Sequence, residues 1–165
     1  MQRKKRIFIQ VAGNPLFAQF TTKPSPASSI NNPRTGQPLF GVFPSIKNQH
    51  AVFAGGPIYL RYGRHFGTNQ GFGFEHIWQA RFPTCTDLKA ATALVADLIA
   101  SILTKGATIH YEFGTGSADR RSTVFKSKAG VVIVEERLDG NNDVFYSIVT
   151  AFEAPKANGP VIGSL

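Results

Sequence analysis

The sequence predicts an α+β domain in which short helices pack on one face of an antiparallel β-sheet of about four to five strands. Three observations predict it. One strongly amphipathic helical pattern stands between Leu88 and Leu103, four strand-like runs separated by turn residues follow it, and the order of helices first and meander second suits a sheet covered on one side.

The elements follow in chain order. Residues 1–50 carry Pro15, Pro24, Pro26, Pro33, Pro38 and Pro44, which disfavour long helices and central strands. They read as a loosely ordered lead-in with short strands at 6–11 and 17–21 and an exposed connector over 25–37. Phe8, Phe17, Phe20, Phe40 and Phe43 tie parts of it to the core. Residues 51–155 then form the domain proper and 156–165 a tail. GPIYLRYG gives a short apolar strand ending in a glycine-bearing turn. Gly67, Gly71 and Gly73 make a flexible approach to a short helix over 74–81, which stops before Pro83 and holds His76 in its first turn. The second helix has Thr86 as N-cap and Asp87 in its first turn. Its apolar stripe is Leu88, Ala91, Val95, Leu98, Ile99 and Ile102, and Lys105 and Gly106 mark its end. Strands are expected at 108–113, 122–126, 131–137 and 144–152, with turns at Ala129-Gly130 and Asp139-Gly140.

A chain of 165 residues is long enough for one hydrophobic core. Its 18 Lys and Arg against 10 Asp and Glu leave a net charge of +8, so polyanions, nucleic acid first, are the expected partners. Cys85 stands alone, which excludes an intramolecular disulfide and any zinc site built on several thiolates. No run approaches the roughly 18 to 20 apolar residues of a membrane span, so a water-soluble chain is expected.

Several chemistries fail on spacing. His50, His65, His76 and His110 match no familiar metal-ligand pattern, and no HExxH is present. GTNQGFGF lacks the Gly-Lys-Ser/Thr ending of a phosphate-binding loop, and no GxSxG surrounds a serine. Neither metal nor cofactor is expected. What remains suits RNA cleavage by attack of the 2′-hydroxyl on the adjacent phosphate, giving a 2′,3′-cyclic phosphate. That reaction needs a base, an acid and a cation or donor to hold the charged phosphorane. Histidine suits the first two roles and arginine or lysine the third.

The run GPIYLRYGRHFGTNQGFGFEHIW, followed by YEF, RRSTVF, GVVIVEER and FYSIVTAF, resembles the barnase/EndoU/colicin/RelE-type nucleases. The likeness is to the variant in phage-encoded proteins and in the toxin tips of contact-dependent inhibition systems, and it spans residues 55–153. It implies two packed helices on an antiparallel sheet, cleavage of RNA (tRNA foremost) without a metal, and a cognate immunity or antitoxin protein. It also implies a secreted or delivered effector that acts in the target-cell cytoplasm. His65 and His76 match the family histidines. Where the family often has a second histidine five places after the helix histidine, this chain has Arg81. Arg81 can hold a phosphate but is a poor proton donor, so His65 would have to supply the acid. Glu112, Arg120, Arg121, Tyr146 and Thr150 fall on the remaining family positions. One of Arg120 and Arg121 would grip the phosphate. Tyr146 and Thr150, on one strand face by simple alternation, would donate to its oxygens. Arg64, Lys126, Arg120 and Glu112 complete the expected substrate-binding set.

Each residue also has a structural reading. His76 beside Trp78 can be a satisfied core histidine, Arg120 and Arg121 hairpin charges, Tyr146 and Thr150 ordinary strand formers, and Trp78 part of the core. Two other functions fit the same features: an RNA-binding module without catalysis, and a phage structural appendage.

Overall fold

The computed structural model describes residues 20, 22–112, 121–154 and 156–165. In order, the described elements are β1 (Ser29–Ile30), β2 (Leu39–Phe43), β3 (Ile46–Lys47), β4 (Val52–Phe53), β5 (Gly56–Arg61), β6 (Arg64–Gly67), β7 (Gln70–Phe72), α1 (Gly73–Arg81), α2 (Leu88–Ile102), β8 (Thr108–His110), β9 (Ser122–Ser127), β10 (Gly130–Leu138), β11 (Val144–Phe152) and β12 (Val161–Ser164). The strands expected at 6–11 and 17–21 lie outside the described residues, apart from Phe20, which is buried.

The fold is richer in sheet than the sequence predicts, and the sheet is mixed. Eight strands run in the order β1-β5-β11-β10-β9-β8-β12, with β2 also on β5, and β3-β4 and β6-β7 form two small ribbons. The expected antiparallel sheet of four to five strands is therefore corrected in three places. First, β5 runs parallel to β11, pairing Tyr146 with Ile58 and Ser147 with Tyr59. Second, β2 and β1 share the other edge of β5, one against Gly56–Tyr59 and the other against Leu60–Arg61. Third, the C-terminal segment returns as β12 on β8. The prolines bound these strands instead of preventing them: Pro38 and Pro44 flank β2. Phe40 and Phe43, three apart, would point to opposite faces of a regular strand. A register shift between Leu39 and Gly41 lets both be buried.

The two sheet faces differ. Phe125, Val132, Val134, Tyr146 and Ile148 share a buried face by register. Here Phe43 stacks on Tyr146 with centroids 3.9 Å apart, and Phe53 and Phe125 close around Phe43. α2 adds Val95, Ile99 and Ile102 to the same core, and α1 adds Phe74 and Ile77. The opposite face, carrying Val124, Ile133 and Thr150, is only half covered.

Asp87, one residue past the expected cap, is the N-cap of α2 and accepts from the Ala90 N–H at 2.9 Å. Gly106 takes a positive φ, and its N–H donates to the Leu165 carbonyl, which pins the C-terminus beneath α2. Among the described residues, no helix is long and apolar enough to cross a membrane.

Candidate active site

His65 and His76 are brought together by a hairpin folded back onto a helix. β6 and β7 pair with His65 opposite Gly71 and Gly67 opposite Gln70, leaving Thr68 and Asn69 as a two-residue tip. Asn69 adopts the left-handed conformation (φ 58°) that asparagine tolerates better than most residues. The stretch expected to be a flexible approach is thus a defined hairpin that leads straight into α1. Glu75, in the first turn of α1, accepts from the His65 backbone N–H at 2.9 Å and pairs with Lys23 at 2.6 Å. His65 is thereby held over the helix, and its Nδ1 stands 3.1 Å from His76 Nδ1, the rings inclined by 27°. Gly71 leaves room for this contact, since a side chain there would begin 2.8 Å from His76 Nδ1.

The pair opens into a cleft of ≈690 Å³ whose floor is Ile133, Val149, Thr150 and Phe152 and whose wall includes Arg81 and Gln79. Arg81 Nε donates to the Ala151 carbonyl at 3.4 Å, and its guanidinium lies 4.8 Å from the centre of the Phe152 ring. Its terminal nitrogens have no partner among the described residues. Thr150 and Thr123 carry the two buried side-chain hydroxyls without a partner among the described residues, and of these Thr150 borders the cleft. An orphaned buried hydroxyl costs free energy unless something bonds to it; the Thr150 oxygen is itself shielded from solvent, so a turn of its side chain is what would present it to a group in the cleft.

Burial lowers the pKa of His76 below its ordinary value, and the charges of His65 and Arg81 push the same way. These effects favour the neutral form of His76. With the two Nδ1 atoms facing each other, one ring must donate an Nδ1–H and the other accept, and the two Nε2 atoms are left for a ligand. Neither Nε2 has a partner among the described residues.

Other expected site residues lie elsewhere. Tyr146 is fully buried on the opposite sheet face, its hydroxyl donating to the Ala54 carbonyl at 2.5 Å and approaching Glu136 at 3.4 Å. Burial and the Glu136 charge raise its pKa well above the normal phenol range. Arg121 forms a forked pair with Glu136, donates to the Val52 carbonyl and lies 3.9 Å over Phe53. Both are structural. The cause of the misplacement is a bulge: Ile133 pairs with Thr150 but Val134 with Ile148, so Val149 is an extra residue that reverses alternation between Tyr146 and Thr150. Lys126 sits two strands away on β9, and Glu112 follows β8 at the far side of the sheet; neither borders the cleft. Arg64 is exposed on β6 next to His65 and does not border it either. Arg120 lies outside the described residues. Trp78 donates to the Cys85 carbonyl at 2.7 Å and packs on Phe74, which makes it a structural clamp. His110 bonds Thr108 and the Gly159 carbonyl within the sheet.

Sequence reasoning missed Glu75, Gln79 and the hairpin tip. Gln79 was within reach of it, because residues three apart on a helix share a face with His76. No family model matches the chain, and neither a curated protein nor a solved structure is similar to it.

Proposed function

We propose that the chain is a metal-independent endoribonuclease in which His65 and His76 act as one proton relay. The observation that carries this reading is the 3.1 Å contact between the Nδ1 atoms of two histidines that line the same cleft as Arg81 and Thr150. In the productive tautomer, neutral His76 donates its Nδ1–H to His65. His76 Nε2 takes the proton of the 2′-hydroxyl as O2′ bonds to phosphorus. The His76 Nδ1 proton passes to His65 Nδ1, and His65 Nε2–H protonates O5′ as the P–O5′ bond breaks. Arg81 and the Thr150 hydroxyl hold the non-bridging oxygens as charge builds on them. The step ends with a 2′,3′-cyclic phosphate and the two tautomers exchanged. Water attack on the cyclic ester, run through the same atoms in reverse, restores them.

A family place among the barnase/EndoU/colicin/RelE-type toxins belongs to the same proposal. On that reading the chain is an effector delivered to a target-cell cytoplasm, its substrate is RNA (tRNA foremost), and a cognate immunity or antitoxin protein closes the cleft. The +8 charge supports an RNA partner. The test is cleavage of total tRNA by the purified chain in excess EDTA, with the new ends analysed. Cyclic phosphate ends are expected, and His76→Gln and His65→Gln should each lower the rate by at least about 10²-fold. Tight binding without cleavage would refute the reading and leave an RNA-binding module.

A further inference from the structure

We propose that Arg61 forms a second phosphate subsite, which binds the phosphate next to the scissile one; that the ligand is an RNA strand rests on the ribonuclease reading. Arg61 ends β5 on the half-covered sheet face, and its Nε donates to Ser147 Oγ at 2.9 Å. Its guanidinium carbon lies 4.7 Å from the centre of the Phe72 ring and 5.7 Å from that of Phe145. Two rings and one hydrogen bond thus fix the plane of the fork. The terminal nitrogens have no partner among the described residues.

Charge favours an anion here. The carboxylate that acts on Arg61 is Glu135, which is paired to Arg137 at 3.2 Å. Two guanidinium groups therefore share one carboxylate. Burial, with Arg137 adding to it, disfavours the charged form of Arg61. A half-buried cation beside a second cation is stabilised by an incoming anion, and a fixed planar fork matches phosphate better than a flexible ammonium does.

The position also fits. Because Val149 is the extra residue of the bulge, Ser147 and Thr150 lie on the same face of β11, with Val149, which also lines the cleft, between them. Three residues of strand place Ser147 and Thr150 at most roughly 10 Å apart, the same order as successive phosphates in an extended strand. Phe72, on which Arg61 stacks, directly follows Gly71 at the border of the cleft. A strand with one phosphate at Thr150 and Arg81 would bring its neighbour to Arg61.

The experiment compares kcat/KM on a dinucleoside monophosphate, which has only the scissile phosphate, with the same molecule carrying a 5′- or 3′-terminal phosphate. One terminal phosphate should raise kcat/KM roughly tenfold to a hundredfold in the parent chain. Arg61→Ala should remove that gain and leave cleavage of the unphosphorylated substrate unchanged. Arg61→Lys, which keeps the charge and loses the fork, should retain part of it and guards against a folding defect in the alanine variant. A gain that persists in both variants, or an equal fall on all substrates, would overturn the subsite while leaving the ribonuclease reading standing. If the parent cleaves nothing, that reading has failed. The subsite is then judged by binding of the phosphorylated, 2′-O-methylated dinucleotide: weaker binding by both variants supports it, and unchanged binding overturns it.

Discussion

Replacing Gly71 with alanine should separate the two histidines and destabilise the fold by an amount that can be divided into parts. Gly71 has φ +140°, a region that residues with a side chain rarely occupy, and forcing one there costs roughly 1–3 kcal/mol. The new methyl would also begin 2.8 Å from His76 Nδ1 and 3.1 Å from His65 Cα, and it would press on the Arg64 carbonyl oxygen. That oxygen is backbone in a paired strand and cannot rotate away, so the hairpin must shift, at a further cost of roughly 1–3 kcal/mol. Gly67 supplies the control. Its φ is +151°, but nothing lies within 4 Å of the position its side chain would take. Gly67→Ala should therefore show the backbone cost alone. Urea unfolding of both variants, compared at equal m, should place Gly71→Ala below Gly67→Ala by the steric difference. Under conditions where both are folded, Gly71→Ala should lose RNA cleavage and Gly67→Ala should keep it. Equal midpoints would refute the packing argument. Full cleavage by Gly71→Ala would show that the histidine contact is dispensable.

Two further expectations probe the faces of β11 and the protonation of the pair. Thr150→Val should reduce cleavage by roughly 10²–10³-fold with little change in stability, since the lost hydroxyl has no partner among the described residues. Tyr146→Phe should do the reverse, costing roughly 1–3 kcal/mol through the orphaned Ala54 carbonyl while cleavage persists. Loss of cleavage in folded Tyr146→Phe would overturn the face assignment. The lowered His76 pKa means that the unfolded chain takes up a proton near the ordinary value of 6.5 while the folded chain does not. Its contribution to stability is complete above that pH and is lost as pH falls below it. Urea midpoints measured from about pH 8 to 5 should fall more steeply toward acid in the parent than in His76→Gln, and parallel curves would contradict the shift.

What the sequence made legible depended on whether an element carries its own periodic pattern. α2 does: Ala91, Val95, Ile99 and Ile102 recur at helical spacing, and all are buried. β9, β10 and β11 are apolar runs bounded by turn residues, and they form where expected. β1, β2 and β12 are two to five residues long, too short for any period. Their existence depends on partners far along the chain, such as Leu60 for Ile30 and His110 for Val161. The parallel pairing of β5 with β11 has no local signature at all. At the site, His65 and His76 were visible as residue types of the right chemistry. Their contact was not, because it follows from a two-residue hairpin tip and from the Glu75 carboxylate bonding a backbone N–H. Glycines alone cannot distinguish a flexible segment from a hairpin held at positive φ.

The position of the cleft follows from how β11 changes neighbours along its length. Over Tyr146 and Ser147 it is paired on both sides, to β5 and to β10, and Tyr146 is buried among aromatic rings. β5 pairs no further along β11 than Ser147, which frees one edge of β11 beyond that point. There the bulge at Val149 turns Thr150 away from the aromatic core, and Arg81 at the end of α1 bonds the Ala151 carbonyl on the strand. The gap between the departing strand and the helix is the cleft that His65 and His76 enter from above. Regular alternation would put Tyr146 and Thr150 on one face, competing for the same side of the sheet. A single extra residue resolves this, giving the first half of β11 to stability and the second half to the site. Val149 is thus as informative as the histidines: with that residue removed, Thr150 would directly follow Ile148 and still oppose Ile133, so a β11 lacking only Val149 should become regular and keep the Thr150 side chain on the cleft face.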